Sequence, residues 1–267
     1  MKYTLKQILA TRYDPSRTTT RRLAERFVPV NIVTKAVSPY TAFIFLNLGI
    51  SADIVTFLSL AAIVSSAVLF MLGYAVLGIV GIFIFGILDS TDGDVARVSG
   101  RTAYGGSLDA LGADFFYTFI PSSLGYFLFS KDIVLGPLSS EGVFAVAIGA
   151  SLFFLLYRTI NIKTINFLMG SHRGDIATTA GSVAGGGGET TSFFFHMAKI
   201  YRHVLIKDNF FSEPGLIFWF FIFVIFQKWE FLAGYLVVIL IYNSGFLISN
   251  FVKMYLTFLK VEKEKKE

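Results

Sequence analysis

Five aspartates lie close together near the middle of the chain, between two strongly apolar segments. They are Asp89, Asp92, Asp94, Asp109 and Asp114, and the apolar segments are residues 73–88 and 115–129. Carboxylates beside segments long enough to cross a lipid bilayer are costly, so they are more often functional than incidental. We therefore expect the rest of the chain to place these aspartates at a membrane surface.

Helical spacing separates these acids into groups. If the preceding helix continues to about residue 100, one stripe holds residues at i, i+3, i+4, i+7 and i+11, namely Asp89, Asp92, Gly93, Ala96 and Gly100. Asp94 points elsewhere and is expected to be a bystander. Asp109 opens the next helix and would face the first pair across a short loop.

The chemistry of this group is that of oxygen ligands. The chain has no Cys and three His, so converging carboxylates favour Mg²⁺ or Mn²⁺. Paired divalent ions held by carboxylates suit phosphoryl chemistry on a diphosphate. Arg97 and Arg101 would pair with phosphate oxygens. The alternative for the acids is a solvated interfacial loop. For Arg97 and Arg101 the alternative is an ordinary positive-inside charge, and for Arg101 this interpretation is preferred.

Composition indicates an integral membrane protein. Hydrophobic residues make up 54% of the 267 residues and charged residues 15%, whereas a soluble domain has about 25% charged residues. The absence of Cys excludes disulfides and thiolate metal sites. We expect no signal peptide and no nucleic-acid partner.

Hydropathy predicts six membrane spans, each near the roughly 20 residues that a bilayer requires except the short fifth one. They are expected at about 52–72, 75–96, 106–130, 141–163, 213–228 and 231–252. A long loop at about 164–212 contains the Gly-rich stretch 181–188 and is expected to be mobile, with an interfacial helix at 193–207. The expected organisation is a cytoplasmic segment over 1–51, a membrane domain over 52–260 and a charged tail over 261–267.

The N-terminal region is basic and amphipathic. Leu23, Phe27 and Val30 fall at i, i+4 and i+7 with arginines between them, which predicts a helix lying on an anionic leaflet. Pro29 is expected to end or kink it. A solvated basic tail is the alternative.

Charge distribution sets the orientation. With six spans, 21 of the 23 Lys and Arg residues fall on one side, and only Lys131 and Lys228 on the other. The positive-inside rule then places both termini and the aspartates on the cytoplasmic side. The predicted fold is an all-α, six-span membrane protein with an N-terminal amphipathic helix.

The aspartate region also resembles a known family. The CDP-alcohol phosphotransferases (CDP-alcohol phosphatidyltransferases) carry D-x2-D-G-x2-A-R, then seven or eight residues, then G-x3-D-x3-D. Seven positions match here in order: Asp89, Asp92, Gly93, Ala96, Arg97, Gly105 and Asp109. The resemblance implies an enzyme of phospholipid biosynthesis at the cytoplasmic interface. It would use two divalent cations, Mg or Mn, to transfer a phosphatidyl group from a CDP-linked lipid, such as CDP-diacylglycerol, to a small polar alcohol, releasing CMP. Homodimers are common in that family.

Site roles follow from the resemblance residue by residue. The expected metal ligands are Asp89, Asp92, Asp109 and Asp114, and the expected catalytic acids are Asp114, as general base, and Asp109. Gly93, Ala96, Arg97 and Gly105 are expected at the nucleotide. The family's Ser/Thr-Pro-Asn/Asp-x-x-Thr pattern resembles Ser51-Ala-Asp53-x-x-Thr56, which adds Asp53 and Thr56, with a plain helix cap as the alternative.

One departure concerns the last two acids. The family places them four residues apart, whereas Asp109 and Asp114 are five apart. A seven-residue gap puts Ala113 where the last acid belongs, and an eight-residue gap replaces the third acid by Ala110. Both acids reach one site only if a π-bulge inserts a residue near Gly112.

Three alternatives remain open at this point. The chain is a working transferase, a degenerate member that binds nucleotide without normal turnover, or a cation-coupled transporter. For Tyr157, Arg158, Asn161 and Lys163, ordinary span-end anchoring is preferred over an acceptor pocket. Arg173 is interpreted as a loop charge rather than an acceptor contact.

Overall fold

The computed structural model describes residues 3–12, 27–100, 105–171 and 209–264, and these residues are almost entirely helical. They form eight α-helices: α1 Leu5–Arg12, α2 Pro29–Asn47, α3 Ala52–Met71, α4 Ala75–Ser99, α5 Gly105–Ser130, α6 Ser140–Ser171, α7 Glu213–Ile225 and α8 Trp229–Glu264. The all-α prediction is confirmed for this part of the chain.

Four of the helices in the described residues are long and apolar enough to cross a membrane. They are α3, α4, residues Ser140–Thr164 of α6 and residues Trp229–Leu259 of α8, which makes the chain a multi-pass integral membrane protein. The predicted third span is the 26-residue helix α5, and the predicted fifth is the 13-residue α7. All six predicted segments are helical, and the number of spans and their sidedness stay predictions.

Helix α4 lies at the centre of the packing. It forms a tight antiparallel pair with α3 and packs on α2 and α7, while α5 packs on α3 and α6. The turn between α3 and α4 uses Gly73 at φ +86°, a conformation that glycine adopts without strain. A Cβ on Gly81 would lie 2.2 Å from Ser66 Oγ, so α3 and α4 approach closely there.

The N-terminal helices differ from the prediction. Phe27 is helical, residue 28 is a bend and Pro29 starts α2, so the chain breaks its helical course immediately before Pro29, as predicted. At the start of α2 the missing N–H of Pro29 costs nothing, because the first amide groups of a helix have no intrahelical partner. Helix α1 is tied to the end of α2 by hydrogen bonds from Tyr3 N to Asn47 Oδ1, 3.3 Å, and from Asn47 Nδ2 to Tyr3 O, 3.2 Å. Leu23 lies outside the described residues.

The long loop is shorter at its start than expected. Helix α6 runs to Ser171, eight residues beyond the predicted end of the fourth span, and residues 209–211 form a single π-helical turn before α7. No Gly or Pro interrupts α6 between residues 150 and 169, so nothing in the sequence stops the helix at 163. Residues 181–188 and 193–207 lie outside the described part of the chain.

Candidate active site

The last three turns of α4 carry three of the five aspartates. Helix α4 ends at Ser99, and Gly100 follows at φ +88°, so the assumption that the helix continues to about residue 100 is confirmed. Asp89 and Asp92 therefore share a stripe one turn apart. Ala96, on the same stripe, is buried.

Asp92 is held in place by helix α3. Its side chain is only 2% exposed, and Thr56, itself 4% exposed, donates from Oγ1 to Asp92 Oδ2 at 2.7 Å. Thr56 Oγ1 also lies 3.1 Å from Ala52 O, which fixes the hydroxyl between its own helix and the carboxylate. Thr56 thus contacts a predicted site acid directly.

The other residues of the Ser51–Thr56 pattern behave as a helix start. Ser51 is the N-cap of α3 and accepts a hydrogen bond from Ile54 N at 3.4 Å. Asp53 lies in the first helical turn, where the helix dipole favours a negative charge. The cap alternative accounts for these two residues, and a role for Asp53 at the nucleotide stays a prediction.

Asp94 points away from the stripe, as predicted, but it is not a bystander. It is fully buried, accepts a hydrogen bond from Ser38 Oγ of α2 at 2.7 Å on Oδ2, and forms an ion pair with Arg97 through Oδ1. A buried carboxylate is tolerated when it is paired and hydrogen-bonded in this way. Asp94 and Ser38 therefore fix the position of the Arg97 guanidinium.

Gly93 leaves the room that Arg97 occupies. A Cβ at position 93 would lie 3.3 Å from Arg97 Nη1 and 3.8 Å from Nη2, so the guanidinium lies across the glycine. Arg97 Nε is buried and has no hydrogen-bond partner among the residues that the structure describes. A buried donor without a partner costs about 1–3 kcal/mol, and an anionic ligand at this place would remove that cost.

The contact between α4 and α5 brings two helix faces together. Phe85 and Phe116 stack with ring centroids 5.7 Å apart, and a Cβ on Gly112 would lie 3.8 Å from Phe85. Phe85 is one turn before Asp89, while Gly112 and Phe116 follow position 109 by three and seven residues. The register is consistent with Asp109 facing the α4 pair. The side chain of Asp109 lies outside the described part, and its role stays a prediction.

Asp114 lies on a different face of α5. The helix is α-helical from residue 105 to 130, so the π-bulge that both acids would need to reach one site is absent from it. Positions 109 and 114 are then about 140° apart around the helix axis, whereas 109 and 113 are about 40° apart. Asp114 forms an ion pair with Arg158 of α6. Of the two positions that could hold the family's last acid, 113 lies on the same side of α5 as 109.

A family model for CDP-alcohol phosphatidyltransferases matches residues 49–214, more than half of the chain. The chain belongs to this family. The matched range covers α3, α4, α5 and α6 and ends at the start of α7. It is a family of metal-dependent transferases of phospholipid synthesis that use a CDP-alcohol donor. No curated protein and no solved structure matches the chain.

The residues present fit the metal of a CDP-alcohol phosphatidyltransferase only in part. Among the side chains that the structure describes, no three acidic or histidine groups lie close enough together to hold an ion. Asp89 and Asp92 supply the hard oxygen donors that Mg²⁺ and Mn²⁺ prefer, and position 109 faces them. Asp114 does not fit, because it lies on the α6 side of α5.

Three residues of this region make contacts that the sequence did not predict, namely Ser38, Asp94 and Arg158. One signal was available for Ser38: in α2, Thr34, Ser38 and Thr41 recur at helical spacing within an apolar segment. Thr34 and Ser38 are buried, and Thr41 Oγ1 lies 2.6 Å from Thr91 Oγ1 of α4. Arg158 lies near the end of the candidate span Ser140–Thr164, which agrees with the anchor interpretation, and its ion pair with Asp114 of α5 is an additional contact. Arg101 and Arg173 lie outside the described residues.

Proposed function

We propose that this family member transfers a phosphatidyl group from a CDP-linked lipid, such as CDP-diacylglycerol, to a small polar alcohol and releases CMP. The observation that carries the proposal is the buried carboxylate of Asp92, which Thr56 holds at 2.7 Å on the stripe that faces position 109 of α5. The matched family supports the reaction class.

The divalent ions would be held by Asp89, Asp92 and Asp109. Such ions, when bound, neutralise the charge of a diphosphate and stabilise the leaving nucleotide. The contribution of Thr56 is to fix the rotamer of Asp92, since the partners of ligating carboxylates orient them for the metal. Asp89 and Asp92 lie one helical turn apart, so a diphosphate lying along the stripe would meet both.

Arg97 would bind the diphosphate of the donor. Its guanidinium is already oriented by Asp94 and by the space above Gly93, and its buried Nε has no hydrogen-bond partner within the described part of the chain. Arginine forms strong charge-assisted hydrogen bonds with phosphate oxygens. Orientation before binding reduces the entropy lost when the donor is bound.

An apolar groove beside the site supports a lipid as the donor. The groove has a volume of about 520 Å³ and is bounded by α2, α4 and α7. Its wall includes Val33, Ile84 and Phe218, and ends at Ile87, two residues before Asp89. An acyl chain in this groove would place the diphosphate of its headgroup near the α4 acids. We propose that the groove takes a chain of the donor, since each buried CH₂ contributes about 0.8 kcal/mol.

The acceptor hydroxyl must lose a proton when its oxygen attacks the lipid-side phosphorus. The sequence offers Asp109 and Asp114 for this proton, and the helix register favours Asp109. The distribution of Lys and Arg along the chain supports a site at the cytoplasmic interface, where CDP and a polar acceptor arrive from water and the lipid chains from the bilayer.

The test is release of CMP by the purified full-length protein in lipid nanodiscs containing CDP-diacylglycerol, with Mg²⁺ or Mn²⁺ and a panel of acceptor alcohols. We expect release that requires both the metal and one acceptor, and that is lost in Asp92→Asn. Glu230→Gln is the matched control, because Glu230 is an exposed acid in the first turn of α8. Absence of metal-dependent release with every acceptor would refute the transferase proposal.

A second candidate is a family member that binds nucleotide without normal turnover. The observation that favours it is Ala113 at the place of the last family acid. The same nanodiscs distinguish the two candidates: metal-dependent binding of CDP without release of CMP from any donor and acceptor pair would support the second.

A further inference from the structure

We propose that this chain has a site of three carboxylates, with Ala113 in the place of the fourth, and that Asp114 lies outside the site as the fixed partner of Arg158. The inference rests on the proposed function, because it concerns the metal that such a transferase uses. The family pattern has four acids, whereas the geometry of α5 leaves three carboxylates within reach of the site in this chain.

The first observation is the direction in which each face of α5 points. Phe116 stacks on Phe85 of α4, and a Cβ on Gly112 would lie 3.8 Å from the same ring, so the face that includes positions 109, 112, 113 and 116 is directed toward α4. These four positions lie within a sector of about 100°. A carboxylate at position 113 would therefore project on the same side as one at position 109.

The second observation is a continuous contact between α5 and α6 on another face. Three side-chain pairs lie along it: Asp114 with Arg158, Tyr117 with Phe154, and Ser122 with Ser151. The rings of the second pair stack at 4.2 Å between centroids, and the hydroxyls of the third are 2.8 Å apart. Asp114 is thus one member of an interhelical interface.

Arg158 contacts this face of α5 at two points. Besides its ion pair with Asp114, its Nη2 donates to the carbonyl oxygen of Ala110 at 3.4 Å. Ala110 and Asp114 are one helical turn apart, so the guanidinium spans the turn. Moving Asp114 to the α4 side would need a rotation of α5 by about 100° or more, which would also separate Tyr117 from Phe154.

The angular positions of residues 113 and 114 around the axis of α5 therefore decide between the two ways of aligning the family pattern, with a gap of seven or of eight residues. In the seven-residue register, Gly105 and Asp109 match and Ala113 replaces the last acid. In the eight-residue register, Asp114 matches but faces α6. The structure supports the first register.

The experiment measures Mn²⁺ affinity, by the electron paramagnetic resonance signal of free Mn²⁺, for the full-length protein in nanodiscs. Ala113→Asp restores a carboxylate on the α4 side, and Ala113→Asn is its matched control for size. Loss of a residue that only hydrogen-bonds to a metal ligand changes metal affinity by about 10- to 100-fold. A carboxylate that binds the ion directly should matter at least as much, so we expect Ala113→Asp to raise Mn²⁺ affinity by about tenfold or more. Ala113→Asn should not raise it.

Asp114→Asn supplies the complementary measurement. We expect Mn²⁺ affinity to stay at the wild-type value and the midpoint of thermal unfolding to fall, and Arg158→Gln to show the same pattern. If Asp114 instead binds the metal, Asp114→Asn should reduce Mn²⁺ affinity, whereas Arg158→Gln should leave Mn²⁺ affinity unchanged. If Ala113→Asp fails to fold, this comparison still decides.

Three outcomes overturn the proposal: Asp114→Asn weakens Mn²⁺ binding as much as Asp92→Asn does, Ala113→Asp folds without tighter Mn²⁺ binding than Ala113→Asn, or neither the wild type nor Ala113→Asp binds Mn²⁺. Failure of the transferase proposal looks different. In that case the wild type binds Mn²⁺ and the affinities follow the expected order, but no CMP is released.

Discussion

Replacing Thr56 by valine tests whether helix α3 prepares the site for its metal. Valine keeps the branched shape of threonine but removes the hydroxyl that donates to Asp92 Oδ2 at 2.7 Å. Both residues are nearly inaccessible to solvent, so water cannot easily take the place of the lost donor. We expect Thr56→Val to weaken both Mn²⁺ binding and CMP release.

The magnitude follows from the two roles of the hydrogen bond. Loss of a partner that orients a ligating carboxylate costs about 10- to 100-fold in metal affinity or activity. A hydrogen bond to a charged group contributes about 1.5–3 kcal/mol to stability, so the free energy of unfolding should fall by an amount of that order. The loss in stability should be partly restored by saturating Mn²⁺, because the ion binds only the folded state.

The assay compares Thr56→Val with Thr56→Ser in nanodiscs, measuring Mn²⁺ affinity, CMP release and the unfolding midpoint. Serine retains the hydroxyl and should recover most of the affinity and the rate. The reasoning is refuted if Thr56→Val retains wild-type affinity and rate, or if Thr56→Ser loses as much as Thr56→Val does.

Two further predictions concern the donor. Gly93→Ala should raise the KM for the CDP-lipid by about three- to tenfold, because the new Cβ would lie 3.3 Å from Arg97 Nη1 and small displacements of a binding group are costly. Gly86→Ala is the control, since its Cβ would meet only methyl groups, at 3.4 Å. An equal rise of the KM in Gly86→Ala would contradict the assignment of Arg97 to the donor. Ile84→Trp should fill the groove and raise the KM for a long-chain CDP-lipid more than for a short-chain one, measured by CMP release. Val68→Trp, at an exposed apolar position on α3, is the control, and equal changes for both chain lengths would count against the groove as an acyl site.

Local periodicity predicted the helices well because each follows from its own stretch of sequence. The turn at Gly73 and the end of α4 at Gly100 both coincide with glycines that adopt positive φ. The stripe of Asp89 and Asp92 follows from the geometry of one helix. Each of these features depends on residues within about two helical turns of one another.

The features that the sequence did not predict depend on a partner from another helix. Asp94 was separated correctly from the stripe, but its hydrogen bond to Ser38 joins residues 56 positions apart. The pair of Asp114 and Arg158 joins α5 to α6, and no periodicity in either helix identifies the other. Helix α2 was not predicted, because a proline that starts a helix and a proline that follows a helix end look alike in a sequence.

The contacts of α4 divide the site into two sides with separate structural support. On the donor side, α2 reaches Arg97 through Ser38 and Asp94, while α3 reaches Asp92 through Thr56. On the other side, α5 presents position 109 and is tied to α6 by Arg158. A substitution in α2 should therefore change donor binding first, because it acts through the guanidinium. A substitution along the contact between α5 and α6 should act first on stability, because this interface lies on the face of α5 directed away from α4 and the Asp92–Thr56 and Asp94–Ser38 contacts remain.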